Sequence, residues 1–169
     1  MTPTQIARTV YGLNPFPEAL EVARFVSSNT KDSDRIAVLG SEPQIYFYSR
    51  RRYASGYIYM YALMEGHPYA LKMQREMIQQ IESTRPRLLI VVNVSKSWVK
   101  SRDSHPLLMN WLQSYQAKHY TLVGLVDIDR QNSVYHWAPD VNWPPGSPFW
   151  IAVFKRKNGL LDNRVLKNR

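Results

Sequence analysis

Cysteine is absent from this chain, which excludes disulfide staples, thiolate metal sites and thiol nucleophiles. Long hydrophobic runs are missing as well. The longest aliphatic run, Leu88-Leu89-Ile90-Val91-Val92, has the length of one strand, far below the ~18 residues of a membrane span. The start, Met1-Thr2-Pro3-Thr4-Gln5, has neither the basic opening nor the apolar centre of a signal peptide. Glycine-rich phosphate loops are lacking. Gly40-Ser41-Glu42-Pro43 has neither the three spaced glycines of a dinucleotide fingerprint nor the Gly-Lys-Ser/Thr of a P-loop, so no nucleotide cofactor is expected. His67, His105, His119 and His136 show no His-x-x-x-His spacing, and no other cofactor or metal is expected. As an independent enzyme the chain offers little, and no catalytic residue is assigned.

Acidic residues are outnumbered, 13 against 22 basic, for a formal charge of +9. That balance favours an anionic partner, whether nucleic acid, an anionic bilayer or a phosphorylated ligand, or else serves solubility. With 44% hydrophobic and 21% charged residues in a length of 169, the chain reads as one folded domain that buries roughly 70% of its unfolded surface. We expect a folded core over 13–156 and a basic tail over 157–169, with a short terminal helix around Leu160–Leu166.

Periodicity predicts alternating helices and strands. Pro17–Asn29 reads as a helix with Ala19, Leu20, Val22, Ala23 and Val26 on its apolar side and Glu18, Glu21 and Arg24 opposite. After the loop Lys31-Asp32-Ser33-Asp34 comes the strand Ile36–Leu39, and Pro43 opens a short helix. Pro68–Ser83 is a second long helix. Leu88–Val92 is a central strand apolar throughout, the pattern of burial on both faces. Ser104 caps a third helix bearing Leu107, Leu108, Trp111, Leu112 and Tyr115. Tyr120–Ile128 and Phe149–Phe154 are the remaining long strands. The connection from Asp129 to Pro148 is long enough to be functional or a packing lid, and Val134–Trp137 is one arm of a hairpin within it. This alternation predicts an α/β three-layer sandwich around a mainly parallel sheet, flavodoxin- or Rossmann-like.

In such a sheet ligands sit beyond the carboxyl ends of the strands. Ser41, Glu42 and Gln44 follow the first strand, Asn93, Ser95, Lys96, Ser97 and Trp98 follow the central one, and Asp127 and Asp129 end the next. Asp127-Ile128-Asp129 also has the Asp-x-Asp form that holds a divalent metal in some nucleotide-sugar glycosyltransferases, although three-residue acidic patterns arise often by chance. A second feature is the basic cluster Arg50, Arg51 and Arg52 followed by Tyr53, Tyr57, Tyr59 and Tyr61. Guanidinium groups suit phosphates, and tyrosines spaced by two share a face in an extended segment. Either this segment meets a partner, or its tyrosines pack on the sheet while its arginines face water.

Asn14-Pro15-Phe16-Pro17-Glu18-Ala19 and the block from Gly40-Ser41-Glu42-Pro43-Gln44-Ile45-Tyr46 through Arg51-Arg52 resemble the soluble C-terminal region of bacterial membrane glycosyltransferases. Those enzymes are related to dolichyl-phosphate-mannose-protein mannosyltransferases and take sugars from polyprenyl-phosphate donors. The resemblance covers about Gly12–Trp98. It implies an extracytoplasmic (periplasmic) accessory domain of a longer parent whose membrane-spanning portion lies upstream. The family's acidic catalytic residue belongs to that portion, and no position here corresponds to it. The implied contacts are the parent's membrane portion, the acceptor, the polyprenyl-phosphate sugar and anionic lipid head groups. Glu42, Gln44, Arg50, Arg51, Arg52, Tyr57 and Tyr59 are the expected working surface. The competing expectation, from charge and tyrosine content alone, is a soluble nucleic-acid-binding domain.

Overall fold

The computed structural model describes residues 1–157, so the expected terminal helix around Leu160–Leu166 lies outside the described residues. The first element, α1 (Pro3–Tyr11), is a helix that the periodicity reading did not include. Its start follows from local chemistry. The Thr2 hydroxyl accepts from the Gln5 N–H while the Gln5 side chain accepts from the Thr2 N–H, a reciprocal capping box with Pro3 at the first helical position. Next come α2 (Phe16–Ser28), β1 (Arg35–Leu39), α3 (Pro43–Ser49), the two-residue β2 (Arg52–Tyr53), α4 (Tyr61–Met64) and α5 (Ala70–Thr84). The chain continues through β3 (Leu88–Asn93), a 3-10 turn at Ser95–Ser97, α6 (Leu107–His119), β4 (Tyr120–Asp127), β5 (Val134–Trp137) and β6 (Trp150–Arg156).

The strands form one sheet in the order β2-β1-β3-β6-β4-β5. It is open and mixed rather than mainly parallel. β1 pairs in parallel with β2 and β3, whereas β3–β6, β4–β6 and β4–β5 are antiparallel. Helix–strand alternation predicts mainly parallel pairing. Instead β6, reached through the long connection, enters between β3 and β4 and runs against both.

Strand alternation divides the core. Ile36, Val38, Leu88, Ile90, Val92 and Val153 pack with Val22, Val26 and Ile45 from α2 and α3 on one face. Ala37, Leu39, Leu89, Val91 and Phe154 pack with Met77, Ile81, Leu108 and Leu112 from α5 and α6 on the other. The apolar run of β3 is therefore buried from both sides, as its composition predicts. No helix among the described residues is long and apolar enough to cross a membrane.

Beyond β4 the edge strand β5 is held by side chains as well as by its ladder. Trp137 stacks on Phe25 of α2 with ring centroids 4.2 Å apart, and its ring lies over Gly124 where a Cβ would stand. Replacing Gly124 with Ala forces the indole off this site, and overpacking of this kind costs about 1–3 kcal/mol. Urea unfolding of Gly124→Ala should show that loss together with an altered tryptophan emission spectrum.

Candidate functional site

Because β6 and β5 run opposite to the others, β1, β3 and β4 all end on the same edge of the sheet. The three polar clusters read from the sequence do converge there, although only two neighbouring pairs are parallel. At the end of β1 the backbone of Gly40 adopts φ 141°, and a Cβ at this position would lie 2.7 Å from the Val92 Cβ. Glycine alone lets β1 turn out this close to β3. The Ser41 N–H then donates to the Ser97 carbonyl at 3.0 Å, and the Ser41 hydroxyl accepts from the Met60 N–H at 2.9 Å.

Glu42 follows and is only 3% exposed. Its carboxylate accepts from the Ser97 hydroxyl through one oxygen and from the Gln44 amide through the other. Burial pushes the Glu42 carboxyl above its ordinary value, the two hydrogen bonds pull against that shift, and the negative Glu18 nearby adds to it. Gln44 is thus a support for Glu42 as well as a half-buried surface group.

Glu18 was expected on the solvent side of its helix, yet it is 1% exposed. One carboxylate oxygen accepts from the Arg8 guanidinium and the Ser133 hydroxyl, and the other has no hydrogen-bond partner among the described residues. Arg8 also donates to the Asp129 carbonyl at 3.2 Å. This one network ties α1, α2 and the turn between β4 and β5 together. Arg8, Glu18 and Ser133 were missed as site residues. The available signal was the first-turn position of Glu18 after Pro15-Phe16-Pro17, where a carboxylate is favoured by the N–H groups of the helix start.

After β3, the Trp98 indole donates to the Val92 carbonyl at 2.7 Å. Asn93, Ser95, Lys96, Trp98 and Lys100 line an open cavity of about 430 Å³. Val99, at φ 47°, sits in the left-handed region, which is strained for a β-branched side chain. The Lys100 ammonium lies 5.7 Å from the centroid of the Trp98 ring. At the end of β4, Asp127 accepts from the Ser147 N–H at 3.0 Å and faces the His136 imidazole at 3.5 Å. Asp129 accepts from the Gln131 N–H, which holds its carboxyl below the ordinary value. Each aspartate thus organises its own loop. Among the described residues no three His, Cys, Asp or Glu side chains gather as a metal site.

The basic and tyrosine segment is elsewhere. Helix α3 carries the chain back from the end of β1 towards its start, where Arg52 pairs with Arg35 in the β2–β1 ladder. Glu42 and Gln44 therefore sit at one end of α3, and Arg50, Arg51 and Arg52 sit at the other. The expected working surface is not one patch. Arg51 is 9% exposed and donates to the Thr30 hydroxyl and to the Ser27, Ser49 and Thr30 carbonyls at 2.8–3.1 Å. It also pairs with Asp32 at 2.9 Å. Its donors clamp the end of α2 to the end of α3. Arg50 and Arg52 are exposed.

The tyrosines do not share an extended face, because only Arg52–Tyr53 is strand and Tyr61 begins α4. Tyr57 donates to the Glu76 carboxylate of α5, and this bond raises its pKa to about 12. Tyr59 is exposed, its ring 5.9 Å from that of Tyr61.

Chemically, the strand-end edge joins the buried Glu42 carboxylate to the Ser97 hydroxyl and the Gln44 amide, with Asp127 and His136 paired at the end of β4. No protein-family model, curated protein or solved structure matches the chain.

Two outcomes follow from this geometry. Arg51→Ala leaves three backbone carbonyls without their donor and should cost roughly 2–4 kcal/mol in denaturant unfolding. Glu42 has a folded-state pKa above its unfolded value of about 4.3. Its favourable contribution is therefore complete below that value and is lost as the pH rises through the folded-state pKa. Glu42→Gln removes this dependence. The melting temperature of the parent minus that of the variant should be greatest in acid and shrink towards neutral pH.

Proposed function

We propose that this chain is the extracytoplasmic, periplasmic-side domain of a membrane glycosyltransferase whose donor is a polyprenyl-phosphate-linked sugar. The domain is an accessory part that contacts the acceptor or the membrane-spanning portion of its parent, and it does not transfer sugar by itself. One observation carries this reading. The two sequence blocks that resemble the family, Asn14–Ala19 and the one from Gly40 through Arg52, supply Glu18 and the Ser41–Glu42–Gln44 segment to the same sheet edge. Those family-like residues are part of the internal frame of the domain. In this reading the parallel half, β2-β1-β3 with its helices, is the flavodoxin-like part of the fold.

The exposed members of the expected surface remain its contact groups, namely Arg50, Arg52 and Tyr59. Their guanidinium forks and ring suit a phosphate and a sugar face. Arg51 has a structural role and is left out of the test. Arg50→Glu with Arg52→Glu in the full-length parent should reduce sugar transfer severalfold, while the same changes in the isolated domain leave its melting temperature within a few degrees. Undiminished transfer by the full-length variant would count against this surface.

A further inference from the structure

Helix α1 buries none of its residues, yet its apolar side chains are ordered. At 100° per residue Pro3, Ile6, Ala7, Val10 and Tyr11 occupy one side, and Arg8 points away from them into the Glu18–Ser133 network. The stripe continues across two neighbouring helices. Phe16 and Leu20 of α2 and Phe47 and Tyr48 of α3 are exposed, as are Ile6, Val10 and Tyr11; Val10 reaches 63% and Phe47 76%. Tyr11 meets Phe16 edge to face at 4.9 Å, and Phe47 meets Tyr48 at 5.3 Å. Ala7, Phe16, Leu20 and Tyr48 line a groove of about 380 Å³ between the three helices. A contiguous apolar surface of this kind on a charged domain marks a contact, whereas singly scattered apolar residues do not.

Charge identifies what covers it. Neither α1 nor α3 contains an acidic residue. On α2, Glu18 is buried against Arg8, and Glu21 pairs with Arg24. Arg50 and Arg52 stand exposed just beyond α3, in a chain of net charge +9. The face is therefore aliphatic and aromatic at its centre, basic at one end, and without a free carboxylate on its helices. A second copy would bring two strongly positive molecules and their arginines together, which like-charge repulsion opposes. An anionic bilayer satisfies every part of the pattern. Aliphatic side chains enter the acyl boundary, aromatic rings sit at head-group level, and arginines meet lipid phosphates.

We infer that the α1–α2–α3 face docks on an anionic lipid bilayer. The inference deepens the glycosyltransferase reading, with which it shares Arg50 and Arg52. Its readout is vesicle binding by this chain alone, so it can fail while sugar transfer by the parent still depends on those arginines. The full chain is floated with vesicles containing phosphatidylglycerol and with vesicles of phosphatidylcholine only. Binding should be about tenfold tighter to the anionic vesicles and should weaken as salt is raised. Val10→Asp combined with Phe47→Asp should lower it about tenfold or more. Both positions are exposed, so thermal melts should confirm that the variant folds. Tyr69→Asp, exposed at the start of α5, should bind like the parent. Equal binding to both vesicle types, or undiminished binding by the double variant, overturns the inference. So does a concentration-dependent dimer that the double variant dissolves, because the face then belongs to a second copy.

Discussion

The insertion of β6 is the constraint from which the rest of this architecture follows. Within the described residues no ladder joins β3 to β4 directly; each pairs with β6, which fills the space between them. Ile151, Ala152, Val153 and Phe154 are accordingly buried, alternating between the two cores. Running against both neighbours, β6 leaves β3 and β4 pointing the same way. Their polar ends therefore reach the edge where β1 ends. The network of Arg8, Glu18 and Ser133 at the end of β4 thereby comes to the same edge as that of Glu42, Ser97 and Gln44, which the parallel β1–β3 pair brings together. Each connects segments far apart in sequence through buried carboxylates that carry hydrogen bonds, the condition under which burying such groups is tolerated.

A second consequence concerns α3. This seven-residue helix returns the chain from the end of β1 to its start, so it separates what the sequence places side by side. Glu42 belongs to the interior at one end. The arginines belong to the other, where Arg51 is fixed among the carbonyls of α2 and α3 and its neighbours stay in water. Three consecutive arginines thus have two different roles. The left-handed backbone of Arg50 (φ 54°), which ends α3, makes the turn that directs Arg51 inward and Arg52 outward.

The same division appears in the aromatic content. Eleven tyrosines invite a binding reading, yet several are structural. Tyr46 is buried, and its hydroxyl oxygen accepts from the Val38 N–H of β1 at 2.8 Å. Tyr120 donates to the Pro86 carbonyl at 2.9 Å, and Tyr57 is tied to α5. The rings left to solvent gather largely on the first three helices and on the Tyr59–Tyr61 stretch. The distribution, more than the number, carries the functional information.

Much of the fold was legible in the residues themselves. Apolar period set α2, α5 and α6, the uninterrupted Leu88–Val92 run set a strand buried on both faces, and Val134–Trp137 was recognisable as a hairpin arm. These are local properties, because a period of 3.6 or an aliphatic run fixes which face must leave water. Helix α1 escaped because its Thr2–Gln5 capping box was not read as a start signal. The direction of β6, the burial of Glu18 and Arg51, and the separation of Glu42 from the arginines were decided only by the tertiary structure. Pairing partners and burial are set by contacts between residues distant in the chain, and local periodicity carries no information about which distant strand fills a gap or which charge meets its counterpart there.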